Sequence, residues 1–198
     1  MSTRNNLTKL TFMSMAIVIN MVGAFIAVQF KLLVFIDTIG TFLSAFLFGP
    51  LAGILTGAAT SIINGLTFDP YSLYFIPQQI TVGLIAGICY KKGLFKGKLF
   101  IVGTTIVTIF ASIVGAIICA YVFGGITSSG TAFVVMYLKN LGLNEVVSVF
   151  LTQIIFDWID KGIVSFIALR IIVVLPRDMK QRIKLIRYSK EGVNGQIQ

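Results

Sequence analysis

The stretch from Glu145 to Pro176, EVVSVFLTQIIFDWIDKGIVSFIALRIIVVLP, constrains this chain more than any other. Crossing a hydrocarbon core of about 30 Å takes about 20 residues of apolar helix, and this stretch is long enough. Yet it carries Asp157, Asp160 and Lys161 in its interior. In lipid each ionised group needs a partner or a function. The fold must therefore bring other polar groups to the same depth.

The rest of the chain is of the same kind. Its residues are 57% hydrophobic and 12% charged, about half the charged fraction of a soluble domain. Apolar runs fall at residues 7–28, 36–48, 51–66, 73–90, 99–123 and 145–175. These predict an all-α integral membrane protein, a single domain over residues 1–198 with six transmembrane helices in a compact bundle. The first run is too long for a cleaved signal and lacks a small-residue cleavage pattern, so it is expected to stay as a span.

Lys and Arg number 16 against 7 Asp and Glu. They lie in the N-terminal arm, in the Lys91 to Lys98 loop and in the tail at 177–198, which has six basic residues between Arg177 and Lys190. The positive-inside rule then places both termini in the cytosol, with Lys31 and Lys139 outside beside Asp37, Asp69 and Glu145. Basic residues set between apolar runs argue against nucleic-acid binding, which needs a continuous phosphate-binding face. The tail is expected to lie on anionic lipid headgroups or on a partner protein.

The chain has no histidine, which removes His-based acid/base chemistry, Ser-His-Asp triads and HExxH metal sites. Cys89 and Cys119 sit in apolar runs without metal-ligand spacing and read as reduced core residues. There is no GxxxxGKS/T loop, no kinase set and no GxSxG elbow. No cofactor, metal or enzymatic activity is expected. An enzyme here would need a Ser/Lys or Asp/Asp mechanism, with Ser165 four residues after Lys161 as its candidate.

Asp160 lies sixteen residues before Pro176, about 24 Å along a helix rising about 1.5 Å per residue, so the predicted topology puts it in the outer half of the membrane. Gln153, Asp157, Asp160 and Lys161 share one arc of the helix. Gln78 and Gln79 fall near the outer end of the fourth run, and Asn64 near that of the third. Phe68, Tyr71, Tyr74, Phe75, Phe133 and Tyr137 lie in the outer segments, with Trp158 on the last helix. Aromatic faces with a few hydrogen-bonding groups suit a flat, polar small molecule. The same aromatics also suit an interfacial belt, and Asp157 with Lys161 suits a structural i,i+4 ion pair beside a solvated Asp160. Gly53, Gly57, Ser61 and Gly65 recur every four residues, a stripe that serves packing within the chain or docking of a second protein.

FIDTIGTFLSAFLFGPLAGILTGAATSIINGL in the second and third runs, together with FDWIDKGIVSFIALRIIVVLP in the last, resembles the substrate-binding S components of energy-coupling-factor (ECF) vitamin transporters. The resemblance extends over roughly Lys9 to Pro176 and is most specific from Asp37 to Gly57, with the Asp160-Lys161 step in support. It implies a vitamin or related micronutrient held near the outer face under the loops after spans one, three and five, in a prokaryotic plasma membrane. It also implies a partner transmembrane coupling protein, two cytosolic ATPases, and transport by toppling in the membrane. The segments around Asp37 and from Asp157 to Lys161 resemble riboflavin-type members, which favours a flavin or another flat heteroaromatic.

The resulting candidate substrate-binding set is Asp37, Asn64, Tyr71, Tyr74, Gln78, Gln79, Asn144, Gln153, Asp157, Trp158, Asp160 and Lys161. The family often docks its coupling protein on an Ala-x-x-x-Ala face of the first helix. Here Ala16 is followed by Asn20 and then Ala24, so the face is interrupted; these three with Gly53 and Gly57 form the candidate docking set. A stand-alone secondary transporter or channel, using Asp157 and Asp160 as a proton or cation relay, is the alternative. Such proteins often carry inverted repeats, and residues 1–98 and 99–198 show no convincing repeat.

Overall fold

The structure is a computed structural model that describes residues 2–181 and 183, with side chains from residue 6 onward. The expected lipid-lying tail falls largely outside those residues. The elements are α1 (Ser2–Gln29), α2 (Ile39–Phe48), α3 (Pro50–Thr67), α4 (Tyr71–Tyr74), α5 (Ile76–Lys91), α6 (Leu99–Phe123), α7 (Thr131–Asn140) and α8 (Glu145–Val174). Among the described residues every regular element is a helix.

The distribution of polarity is inverted relative to a water-soluble bundle. Asn20, Thr41, Thr60, Thr104, Ser112, Ser148, Thr152 and Ser165 are buried, while Met15, Val18 and Val22 on α1, Phe110, Ile113 and Ile117 on α6, and Ile155, Ile159 and Phe166 on α8 are exposed. A monomer in water rarely exposes contiguous apolar surface on this scale, whereas lipid makes it the natural outer face. Asn6–Gln29 and Leu99–Phe123 are long and apolar enough to cross a membrane by length and composition. The α8 helix has the length, at 30 residues, but its internal charges keep it from that class.

Close approach between helices rests on small residues. The turn from α2 to α3 passes through Gly49 at φ 92°, a conformation that costs glycine little, and Pro50 then opens α3. α3 packs along α5, which packs in turn on α6. At their crossing a Cβ on Gly83 would stand 2.3 Å from the carbonyl carbon of Gly53, so neither position has room for a side chain.

The small residues assigned to docking are consumed in the same way. Ala16, Asn20 and Ala24 are buried inside the bundle, Gly53 meets Gly83, and Gly57 meets the Gln79 backbone. Within the chain these five residues bring α1, α3 and α5 onto their neighbours.

Asn20 ties three helices together. Its Nδ2 donates to Thr41 Oγ1 at 3.0 Å and to Thr60 Oγ1 at 3.1 Å, and its Oδ1 accepts from the Gly40 N–H at 2.6 Å. At the opposite end of α2 the core is aromatic. Phe42, Phe46, Val82, Val107 and Val164 pack with Phe95, and the Phe46 and Tyr90 rings stack at 4.3 Å.

Candidate functional site

One end of the bundle closes over a cavity of about 90 Å³. This is the end where α1, α3 and α6 finish and α5 and α7 begin. The wall is built from the α1–α2 segment (Leu33, Phe35, Asp37), Ser61 of α3, the α3–α4 turn and α4 (Asp69, Ser72), and the start of α5 (Phe75, Gln78, Gln79). Thr127, Ser128, Ser129 and Thr131 lie on another side, and Gln153, Phe156, Asp157, Asp160 and Lys161 of α8 complete it.

The α8 charges are joined differently from the i,i+4 pairing the sequence offers. Lys161 Nζ meets Asp160 Oδ2 at 2.6 Å, the immediate neighbour, with both side chains buried. Asp160 Oδ1 accepts from the Ile36 N–H at 2.8 Å. Ile36 has φ 50°, a left-handed conformation that is strained for a β-branched residue. The carboxylate thus holds the α1–α2 segment against α8. Asp157 turns instead to α6 and α5, its Oδ2 accepting from Ser112 Oγ at 2.9 Å and, more weakly, from Gln78 Nε2 at 3.5 Å.

Two further carboxylates enter from other elements. Asp37 Oδ2 accepts from Gln79 Nε2 at 2.6 Å. Asp69 Oδ2 accepts from Ser72 Oγ at 2.8 Å, while its Oδ1 is buried without a partner. Two connecting segments touch here: the Gly130 N–H donates to the Leu32 carbonyl at 3.1 Å, and the Lys31 ammonium to the Ser128 carbonyl at 3.0 Å.

Of the candidate substrate-binding residues, Asp37, Gln78, Gln79, Gln153, Asp157, Asp160 and Lys161 come together on the cavity wall. The other five lie elsewhere. Asn144 caps α8, its Oδ1 accepting from the Val146 N–H at 2.9 Å. Trp158 points outward, 45% exposed, and its indole donates to Thr105 Oγ1 of α6 at 3.1 Å; at about 100° per residue it lies more than about 100° round from the middle of the charged arc. Tyr71 and Tyr74 pack on Phe123 with ring centroids at 4.9 and 5.1 Å. Asn64 is buried below the wall, its backbone carbonyl capping the end of α3 through the Phe68 and Asp69 N–H groups.

Asp69, Ser72, Ser61 and residues 127–129 also line the cavity, and none of them carries a sequence signal for a binding site. Asp69-Pro70 reads as an ordinary turn, and a Thr-Ser-Ser run reads as loop; only the three-dimensional closure gives them a common face. What the assembled site can do is bind: it offers carboxylates, amides and hydroxyls with the flat faces of Phe35, Phe75 and Phe156. No cluster of metal-ligating side chains occurs among the described residues.

Comparison with known proteins identifies the family. No curated protein matches the chain, and no solved structure matches it. The family model described as "ECF transporter, substrate-specific component" matches residues 8–173, which include all eight helices apart from the first turns of α1 and the last residue of α8. The chain belongs to the ECF transporter substrate-specific component family.

Proposed function

We propose that the chain captures a vitamin or related small heteroaromatic micronutrient in this cavity from the external side and is the substrate-binding part of its uptake. On this reading it is one domain crossing the plasma membrane six times, with α1, α2, α3, α5, α6 and α8 as the spans and both termini cytosolic. It works with a transmembrane coupling protein and two cytosolic ATPases, which supply the energy, since the chain has no nucleotide-binding loop of its own. Asp37, Gln78, Gln79, Gln153, Asp157, Asp160 and Lys161 line the cargo site. The riboflavin-type likeness makes a flavin the first compound to test.

The observation that carries the reading is the polar cavity beneath touching connecting segments, in a bundle whose sides expose many apolar side chains. Concave sites with a few placed polar groups are what small-molecule binding requires. The relay alternative fits less well, because Asp160 is already held by Lys161 and the Ile36 N–H. Mass spectrometry of small molecules released from the protein purified in detergent tests the proposal. One compound retained near one per chain is expected, with ATP-dependent uptake of it in proteoliposomes holding the coupling protein and ATPases. A purified protein that retains and rebinds nothing from a metabolite extract contradicts it.

A further inference from the structure

We infer that the cargo is a cation carrying N–H donors, a protonated amine or amidine-like group on a flat frame, and not an anion or a neutral ring. The inference rests on the cavity being the cargo site, and it sets the neutral flavin aside in favour of a flat cation.

The argument begins with charge. Four carboxyl groups, Asp37, Asp69, Asp157 and Asp160, line the cavity from four different parts of the chain, against one ammonium, Lys161. That ammonium is taken by Asp160. The other three acids receive only neutral donors: Gln79 on Asp37, Ser112 and Gln78 on Asp157, and Ser72 on Asp69. Lys31 is exposed, donates to the Ser128 carbonyl and does not line the cavity.

The second observation is independent of charge. Asp69 is 3% exposed and Gln79 6% exposed, both line the cavity, and each leaves a buried oxygen with no partner: Asp69 Oδ1 and Gln79 Oε1. The orientation of the Gln79 amide follows from its neighbour, because an ionised carboxylate can only accept, so the NH₂ group must face Asp37 and the oxygen must face away. A buried acceptor without a donor is costly. Two oxygens on the wall thus lack a donor while its carboxyl groups outnumber its ammonium, and one cationic N–H group of a ligand supplies both. An anion would meet three carboxylates without a free cation, a like-charge arrangement that is strongly unfavourable.

Three flat isosteres that differ in this one property test the inference: benzamidine (a cation with N–H donors), benzamide (neutral) and benzoate (an anion). Each is added at millimolar concentration to the purified full chain in detergent, with thermal unfolding as the readout. Benzamidine is expected to stabilise the protein at a concentration about tenfold lower than benzamide, with benzoate giving no shift. In Asp69→Asn that preference is expected to shrink by about tenfold. Equal stabilisation by benzamide, a preference for benzoate, or no stabilisation by any of the three overturns the inference; the comparison on the unaltered chain decides it even where Asp69→Asn does not fold. The two proposals fail separately. A retained metabolite that proves neutral or anionic leaves the uptake reading standing and removes this one, whereas a protein that binds benzamidine but retains no metabolite and drives no uptake removes the uptake reading and leaves a cation-selective cavity without a cargo.

Discussion

Asn20 and Asp69 are both polar, both buried and both joined to neighbouring elements, yet they are finished to different degrees. Asn20 uses its amide fully, with two donors and an acceptor engaged across α1, α2 and α3. Asp69 has one oxygen on Ser72 and one on nothing. A satisfied buried network stiffens a fold, whereas an unsatisfied one costs stability and persists where something else repays it. Asn20 holds three helices together with its whole amide engaged, whereas Asp69 lines the cavity with one acceptor to spare.

That contrast is open to attack from both sides. The largest effect is expected at Gly40, whose added Cβ would stand 1.9 Å from the Ala16 carbonyl. Gly40→Ala should destabilise the purified protein by about 3 kcal/mol through overpacking, read as a lower unfolding temperature. A Gly40→Ala protein as stable as the parent would mean that α1 and α2 are not packed as described.

Asn20→Ala comes next. It removes three hydrogen bonds and strands the buried Gly40 N–H, and a loss of about 2 kcal/mol is expected. Ligand affinity at temperatures where the variant is folded should stay within about threefold of the parent, since Asn20 does not line the cavity. A large fall in affinity with intact folding would erase the division between the two clusters.

The cavity should behave in the opposite sense. Ser112→Ala removes the firmest donor to Asp157, and we expect under about 1 kcal/mol of lost stability with a clear change in the affinity for the retained compound. The smallest effect is reserved for Trp158→Phe. The exposed indole loses one hydrogen bond to Thr105, worth about 0.5 kcal/mol, and binding should not change.

The sequence made part of this division legible. Asp160 and Lys161 stand out because charges within a membrane-length apolar run demand an explanation, and helical spacing puts Gln153 and Asp157 on their face. Gln78 and Gln79 follow from their place at the start of α5. Trp158 was misplaced because it adjoins the charged arc in sequence but not round the helix. Asp69 was missed for another reason: an Asp before Pro looks the same whether the turn is solvated or folded into a wall. The strained Ile36 could not be foreseen, since its conformation depends on Asp160, distant in sequence, taking its N–H. The Ala16, Asn20 and Ala24 face shows the remaining limit. Small residues license close approach to some helix, and nothing in their spacing says whether that helix belongs to the same chain.

The central claim is that the polar cavity, and not the Asn20 cluster or the outer face of α8, is where the small molecule sits. The most direct measurement is the amount of small molecule retained per chain in Asp157→Ala, set beside the unaltered protein and Trp158→Phe, each purified and extracted identically and confirmed as folded. The account expects the compound to be lost from Asp157→Ala and kept by Trp158→Phe. Equal retention in all three, or loss from Trp158→Phe alone, would contradict it.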